Sequence, residues 1–464
     1  MSLEEKPRTF GAPQPVHHGL PATTALEREL RRFRAHTPRS RAEYDKAKRL
    51  LPFGVCSNFR AMEPYPVYMR RASGSRIEDL DGHEYVDWAM AQTTLLTGHA
   101  HPIVLAAVRT QSESGTLTCL PHPLTSELAQ VIQDRFRLEQ MRFVNSGSEA
   151  VGYALRVARA ATGRDAVIKF DICYHGSSPE VMLGRGLTDL PADCPGWLGF
   201  TEWTTGIPKS FFEKTFVASY NEIDSVRALF KEHPGAIAAI VVEPLALNLG
   251  VIPPREGFLE GLREICDLEG ALLVFDEVKM GCKLGPLGAG EYFGVTPDLV
   301  AMAKSIGGGF PIGLFGGKRE FMKEIEEGGV THVGTYTSNP ISLSAALATL
   351  TRVLTRETYD RIFATNRALA DGLRDIIRRT GLDAQVVEFG ANGSLFMTRR
   401  PIETLQDFVK ARHAAFPVYV MGMLNRGILF GPGAEDPWTV SVQHTEEDVE
   451  ATLRAFREIV PQLS

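Results

Sequence analysis

Residues 269–313 read EGALLVFDEVKMGCKLGPLGAGEYFGVTPDLVAMAKSIGGGFPIG, and this stretch decides the fold of the chain. The apolar run 271–275 has the length and content of a buried parallel strand, and Asp276 follows it directly. A second short apolar run, 298–303, ends at Lys304, which is followed by three glycines. Open α/β sheets bind ligands at the carboxyl ends of their strands, so we expect a carboxylate and an amine to meet at one binding site.

A lysine beside a buried aspartate is the pair of groups that one cofactor needs. Apolar surroundings lower the pKa of a lysine, so Lys304 can condense with an aldehyde, and a buried Asp276 can hold a proton on a pyridine nitrogen. Pyridoxal 5′-phosphate carries both the aldehyde and the pyridine. The sequence therefore predicts this cofactor, with Lys304 and Asp276 as catalytic residues.

Two motifs in the opening stretch carry a family resemblance. DEVKMG, from Asp276, and AKSIGGGFPIG, around Lys304, resemble the aspartate and lysine motifs of the class III aminotransferases. Within that family the chain is most similar to glutamate-1-semialdehyde 2,1-aminomutase and its relatives, from about Arg41 to the C-terminus. The resemblance implies an α/β fold, the PLP-dependent transferase fold type I. This fold has a large domain with a mostly parallel, seven-stranded-type sheet and a smaller α+β domain.

The length of the chain, 464 residues, is too great for one ordinary core and indicates more than one domain. A Pro- and Gly-rich start, a meander of short alternating runs and a later region of alternating helices and strands suggest where the limits lie. We predict a disordered tail (1–22), an N-terminal segment that joins the small domain (23–97), a large PLP-binding domain (98–350) and a C-terminal small domain (351–464).

Charge and cysteine content limit the classes of partner. The formal net charge of −6 is spread without blocks, so neither nucleic acid nor an anionic membrane is an expected partner. The six cysteines include no CxxC pair, so neither a zinc site nor a disulfide framework is indicated, and a reducing cytoplasm is expected. The sequence has no apolar run long enough to span a membrane. The expected partners are a small-molecule amino donor and acceptor.

A phosphate site is predicted where the strand 141–144 runs into Asn-Ser-Gly-Ser and a helix of small residues. Gly147 allows backbone N–H groups to turn toward a ligand, and the helix N-terminus supplies partial positive charge. The stretch resembles the phosphate cup of the family. The resemblance places Ser146, Gly147 and Ser148 in that cup.

The remaining cofactor residues are assigned by the resemblance. Tyr174 and His175 follow the strand 166–170, where the family places an aromatic ring over the cofactor, and Val278 is expected against the opposite face. Glu243 and Asn248, which follow the strand 237–242, complete the predicted cofactor-binding set. His175 could instead donate only a structural hydrogen bond.

Two residues are assigned to the edges of the site, again by resemblance. Residues 329–340, GVTHVGTYTSNP, resemble the GT(F/Y)xxNP turn of the family. In relatives the threonine of this turn, here Thr335, reaches the phosphate of the neighbouring subunit, which implies a homodimer with shared active sites. Arg60 falls where aminomutase-like members carry an arginine for the substrate carboxylate.

Residues 177–216 lack periodicity and predict a long loop over the site entrance.

Other functions fit the sequence less well. Lys304 and Ser305 could end a P-loop, but that motif requires glycine where Ala303 stands. No GxGxxG follows a strand at the start of a βαβ unit, which weakens the case for a nicotinamide dehydrogenase. A catalytically silent cofactor-fold protein is a further alternative, and the intact Lys304 and Asp276 argue against it.

The substrate is the least defined part of the prediction. Dicarboxylate-handling members of the family carry a glutamate at the position of Asn248. The aminomutase has tryptophan near Gln92 and glutamate near Asp436, and relatives usually have methionine or glutamine at Lys279. We predict an aminotransferase that moves an amino group from an amino acid, with β-amino acids among the candidates, to a keto acid or aldehyde. Intramolecular transfer, as in the aminomutase, is the alternative.

Overall fold

A computed structural model of the chain describes residues 24–185, 206–327, 329–431, 433 and 436–463. The predicted disordered tail (1–22) and the middle of the predicted entrance loop lie outside these residues. The end of that loop was predicted wrongly. Residues Lys209–Lys214 form a 3-10 helix. Residues Thr215–Ala218 form a strand, because they pair in parallel with residues 167–170 of the central sheet. Within the described parts, no helix is both long and apolar enough to cross a bilayer.

The N-terminal segment combines helices with a small sheet. Helix α1 buries Leu26 and Phe33 and exposes most of its charged residues, the pattern of an amphipathic helix on a core. Strands β1 to β3 form an antiparallel meander. The elements are α1 (Thr24–His36), α2 (Pro38–Ala47), β1 (Met69–Ser73), β2 (Arg76–Asp79), β3 (Glu84–Asp87) and the short turn α3 (Met90–Thr93).

The central region holds a seven-stranded sheet with the order β4-β10-β9-β8-β7-β5-β6. All neighbours are parallel except β10, which is antiparallel to both β4 and β9. The mostly parallel sheet predicted from the sequence is thus confirmed. The strands are β4 (Gln140–Val144), β5 (Ala166–Phe170), β6 (Thr215–Ala218), β7 (Ile237–Val242), β8 (Leu272–Asp276), β9 (Leu299–Met302) and β10 (Gly313–Gly317).

Every residue of β5, β7, β8 and β9 is buried, as expected for parallel strands that are covered on both faces. Helix α6 packs on β8, β9 and β10. The helices of this region are α4 (Pro102–Ser114), α5 (Leu124–Phe136), α6 (Gly147–Thr162), α7 (Ile223–Glu232), α8 (Phe258–Glu269), α9 (Ala289–Phe293), α10 (Arg319–Met322) and α11 (Pro340–Ala348).

The C-terminal region contacts the N-terminal segment, because its strand β13 (Ile428–Leu429) pairs in parallel with β3. Strands β11, β12 and β14 form a separate antiparallel sheet. The limits of the domains stay a prediction. The elements are α12 (Arg356–Thr380), β11 (Gln385–Phe389), β12 (Asn392–Phe396), α13 (Leu405–Val409), α14 (Phe416–Leu424), β13 (Ile428–Leu429), β14 (Trp438–Thr439) and α15 (Glu446–Ile459).

Candidate active site

Two neighbouring strand ends bring the predicted catalytic residues together. Asp276 ends β8 and is in register with Ala301 of β9, and Lys304 follows β9. Lys304 has a left-handed backbone conformation, with φ of 49°, and opens a single 3-10 turn. This conformation is uncommon outside glycine, and such residues cluster at functional sites.

Asp276 is buried, and both of its carboxylate oxygens have partners. The ring nitrogen Nδ1 of His175 lies 2.7 Å from Oδ2, and the backbone N–H of Val278 donates to Oδ1 over 2.9 Å. An ionised carboxylate only accepts, so Nδ1 of His175 donates. Nε2 of His175 is buried and has no hydrogen-bond partner in the described parts. His175 thus makes the hydrogen bond considered from the sequence, and it orients Asp276.

The predicted phosphate cup lies at the start of α6. Ser146 caps the helix, since its hydroxyl accepts the backbone N–H of Glu149. Gly147 is tightly packed, because a Cβ added there would meet Cγ1 of Val278 at 2.5 Å. Ser148 accepts the backbone N–H of Ser177 over 3.0 Å. The fold therefore brings the start of the long helix α6 against Val278, which follows Asp276 by two residues.

Tyr174 is held by a buried carboxylate. Oε1 of Glu243 accepts the backbone N–H of Tyr174 over 2.7 Å and the side-chain amide of Asn248 over 2.6 Å. Oε2 accepts the backbone N–H of Leu247. Burial raises the pKa of the Glu243 carboxyl, as does the nearby Asp276, whereas His175 and the backbone N–H groups of Tyr174 and Leu247 oppose the rise. The observed contacts make Glu243 a support for Tyr174, and its role toward the cofactor stays a prediction.

The amine of Lys304 has an altered acidity. Burial is the main cause that lowers its pKa, and Lys279 adds to this effect, whereas Asp276 and Glu243 act in the opposite direction. The pKa that results from all four is about 8. The side chain is still partly accessible. An amine with this pKa is largely deprotonated in mildly alkaline solution and can act as a nucleophile.

Beside the predicted cofactor residue Asn248, the site also contains Gln92, Lys279 and Asp436, polar residues to which the sequence assigned no role. Lys279 donates to the side-chain oxygen of Asn248 over 3.1 Å. The side chain of Gln92 lies close to the carboxylate of Asp436 and opposes the rise in its pKa that burial causes. We call Gln92, Asn248, Lys279 and Asp436 the junction cluster, since they come from the N-terminal, central and C-terminal regions.

Two buried residues next to the catalytic pair were missed. Lys283 donates to the hydroxyl of Ser305 over 2.9 Å and to the carbonyl of Lys279. Glu277 accepts the backbone N–H of Ala289, and burial raises the pKa of its carboxyl to about 7. Residues 279–304 are mainly apolar and small, yet they include three lysines. This pattern could have indicated from the sequence that Lys283 is buried near the site.

Arg60 and Thr335 lie apart from this group. Arg60 is exposed on a short 3-10 turn, and the ring of the preceding Phe59 contacts the ring of Tyr174 edge-on, with centroids 6.3 Å apart. Thr335 is exposed on the segment before α11, and no side-chain hydrogen bond of Thr335 is found within the described chain. The roles predicted for both residues stay predictions.

The arrangement fits pyridoxal phosphate. The start of a long helix, free of side-chain bulk at Gly147, can receive a phosphate. Asp276 supplies a buried carboxylate for a pyridine nitrogen, and Lys304 supplies an amine of lowered pKa. Tyr174, partly buried and fixed through its backbone, supplies an aromatic face.

Comparison with known proteins agrees with this geometry. The family model described as aminotransferase class III matches residues 59–450. The chain is 36% identical to glutamate-1-semialdehyde 2,1-aminomutase from Desulfatibacillum aliphaticivorans over 92% of this chain and 100% of the relative. An omega-transaminase structure from Sphaerobacter thermophilus has a TM-score of 0.84 and 33% identity, covering 91% of this chain and 97% of that one. A beta-phenylalanine aminotransferase from Variovorax paradoxus gives 0.83 and 28%, covering 94% and 97%.

The chain belongs to the class III aminotransferases, as its motifs predicted. It is a pyridoxal-phosphate-dependent enzyme of this family, and a solved transaminase similar to it has the cofactor bound. Its similarity to both transaminases and aminomutases leaves room for either type of amino transfer.

When bound, the cofactor supplies an aldehyde that condenses with amines and a ring that takes up the electron pair of a broken C–H bond. The chain supplies the rest. Asp276, oriented by His175, would hold the proton at the ring nitrogen, and the start of α6 would bind the phosphate. Lys304 would anchor the cofactor and, once displaced by a substrate amine, carry a proton to and from carbon.

Proposed function

We propose that the enzyme is an aminotransferase that moves an amino group from an amino acid to a keto acid or aldehyde, with β-amino acids as the first substrates to test. The observation that carries the proposal is the contact between Phe59 and Tyr174. It places the exposed guanidinium of Arg60 on the segment that borders the predicted aromatic face. A guanidinium there can bind a substrate carboxylate through two charge-assisted hydrogen bonds.

The half-reaction tests this function. Without an acceptor, an aminotransferase bleaches its yellow form once per site and releases one equivalent of keto product. A panel of α-amino acids, β-amino acids and amines without a carboxylate defines the donor. If no amino acid bleaches the enzyme while glutamate-1-semialdehyde is converted to 5-aminolevulinate without an added donor, the enzyme is an aminomutase.

The aminomutase is the second candidate, and the similarity over 92% of the chain favours it. Asn248 also matches the aminomutase pattern. The differences at Gln92 and Asp436 count against it, since they fall where the aminomutase places substrate contacts.

The role of Arg60 has its own test. Arg60→Gln should raise KM for amino acids about ten- to a hundredfold, because a hydrogen bond to a charged group contributes about 1.5–3 kcal/mol. KM for an amine without a carboxylate should not change. Arg49→Gln, at another exposed arginine, is the matched control. An equal rise in KM for both kinds of donor would remove Arg60 from substrate binding.

We also propose a homodimer in the cytoplasm. Val333 and Tyr336, which flank the exposed Thr335, are 75% and 64% exposed, and such apolar exposure suits a protein interface. The free state of the five cysteines in the described parts supports a reducing compartment.

Subunit mixing tests whether the active sites are shared. Lys304→Ala removes the anchoring amine, and Thr335→Asp places a negative charge where the partner's phosphate is proposed to lie. If each variant is inactive alone, a heterodimer contains one site free of both changes and should recover part of the activity. No recovery after demonstrated subunit exchange would show that the sites are separate.

A further inference from the structure

Lys283 is a fully buried lysine on the segment after β8, and its side chain reaches the turn that carries Lys304. Its amine donates to the hydroxyl of Ser305 over 2.9 Å and to the backbone carbonyl of Lys279. An ammonium group is costly to bury unless partners compensate, and burial lowers the pKa of the Lys283 amine well below its usual value. Through these two hydrogen bonds Lys283 joins the segments that follow β8 and β9.

The 3-10 turn Lys304–Gly307, which we call the Lys304 turn, needs support from other segments. Lys304 has a φ of 49°, and a left-handed conformation at a residue with a side chain persists only where the surroundings impose it. The backbone hydrogen bond from the N–H of Ile306 to the carbonyl of Ala303 is long, at 3.4 Å. The bond from Lys283 to Ser305, the residue next to Lys304, is shorter and comes from a different segment.

The segment that carries Lys283 is itself fixed by the C-terminal region. The backbone carbonyl of Lys283 accepts the N–H of Ala391 over 2.9 Å, and the carbonyl of Cys282 accepts the hydroxyl of Tyr359 over 2.8 Å. Tyr359 is a buried residue of α12, and Ala391 lies between β11 and β12. Lys283 therefore has a fixed backbone, from which its side chain can hold Ser305 in place.

A second buried lysine provides a comparison. Lys169, on β5, is also fully buried, and its amine donates to the backbone carbonyl of Leu183 over 2.8 Å. None of the predicted site residues is adjacent to Leu183 in the sequence. Lys283 instead bonds to the residue that directly follows Lys304. This difference indicates that Lys283 supports the reacting lysine, whereas Lys169 supports another part of the fold.

We propose that Lys283 is a positioning residue for the attachment of the cofactor. Through the hydroxyl of Ser305 it holds the Lys304 turn in the left-handed conformation from which the amine of Lys304 serves the cofactor site. A displacement of a reacting group by about 1 Å can cost about a hundredfold in rate, so a looser Lys304 turn should slow the attachment. This role goes beyond the proposed amino-transfer function and is the same for every amino donor.

The test compares two forms of the cofactor on the full-length protein freed of cofactor. With pyridoxal 5′-phosphate, the amine nitrogen of Lys304 attacks the aldehyde carbon, a C=N bond forms and water leaves. Pyridoxamine 5′-phosphate has no aldehyde, so its Kd, from calorimetry, reports on the rest of the pocket. In Lys283→Met the rate constant of C=N bond formation at saturating cofactor, followed by absorbance, should fall about ten- to a hundredfold. The Kd for pyridoxamine 5′-phosphate should not change.

Two further variants test whether Lys283 acts through Ser305. Ser305→Ala removes the acceptor, keeps the lysine and should slow the same step. The double variant Lys283→Met/Ser305→Ala should be no slower than Lys283→Met alone, because both changes break one hydrogen bond and their effects should not add. If the two effects multiply instead, Lys283 acts by another route and the proposal is overturned.

Lys169→Met is the matched control, since it also removes a buried lysine and its hydrogen bond to a carbonyl. It should form the C=N bond at the unaltered rate. An unchanged rate in Lys283→Met overturns the proposal, as does an equal loss of rate in Lys169→Met or a Kd for pyridoxamine 5′-phosphate that rises in step with the loss.

If Lys283→Met does not fold, Ser305→Ala decides by the same two measurements. A slower C=N bond formation with an unchanged Kd for pyridoxamine 5′-phosphate supports the proposal, and an unchanged rate overturns it. No amino donor takes part in either measurement. The inference about Lys283 can therefore fail while amino acids still react, and the proposed function can fail while the Lys304 turn still depends on Lys283.

Discussion

The cofactor pocket and the junction cluster are built in opposite ways. Asp276 and Lys304 lie at the ends of adjacent parallel strands, and a single stretch of sequence supplies both. The junction cluster collects residues from three regions of the chain. The rigid sheet holds the catalytic pair, whereas the position of the junction cluster depends on how three separate segments meet.

The comparison is tested most severely at Lys304. Lys304→Ala should reduce kcat by several orders of magnitude, because it removes both the anchoring amine and the proton carrier. Reduction of the holoenzyme with borohydride should fix the cofactor on the peptide that contains Lys304. Labelling of Lys279 or Lys283 instead would transfer the catalytic role to the neighbouring turn and contradict the assignment.

Asp276 should give the next largest effect. Asp276→Asn keeps an oxygen for His175 and a similar shape, but it removes the charge that holds a proton on the ring nitrogen. We expect cofactor binding to persist and kcat to fall about a hundred- to ten-thousandfold, the range typical of lost proton control. Absorbance titration measures binding, and a substrate isotope effect shows whether C–H cleavage has become slower. A variant with unchanged kcat would mean that Asp276 serves structure alone.

The sequence predicted the cofactor pocket better than the junction cluster for physical reasons. The short apolar run before Asp276 is typical of a buried strand, and both ends of this strand were predicted to within one residue. Gln92 and Asp436 come close to each other from distant parts of the chain, and the left-handed run that carries Gln92 contains no glycine to indicate it. The hydrogen bond between His175 and Asp276 also joins residues that are far apart in the sequence, so it could not be predicted from the local pattern.

Glu277, next to Asp276 in the sequence, should make the stability of the protein depend on pH. The folded-state pKa of Glu277, about 7, is raised above the usual 4.5 by burial. The native state therefore binds this proton more tightly, so its contribution to stability is complete below about pH 4.5 and is lost as pH rises through 7. The loss amounts to roughly 3 kcal/mol in the free energy of unfolding.

Glu277→Gln keeps the acceptor for the Ala289 N–H and cannot ionise. The free energy of unfolding is measured by chemical denaturation between pH 5 and 8. The value for this variant minus the value for the unaltered protein should increase as the pH rises. Glu264→Gln, at an exposed glutamate, should run parallel to the unaltered protein. A constant difference between Glu277→Gln and the unaltered protein across this range would show that Glu277 stays ionised.

The smallest effect is expected where α6 begins. In Gly147→Ala the new methyl group would lie 2.5 Å from Cγ1 of Val278, and overpacking of this kind costs about 1–3 kcal/mol. If the start of α6 binds the phosphate, the displacement should raise Kd for pyridoxal phosphate about ten- to a hundredfold. Gly152→Ala in the same helix meets only the hydroxyl of Ser178, at 3.1 Å, and should bind normally. Val278→Ala should restore binding in the double variant by removing the clash, and binding that stays weak would place the cause outside this contact.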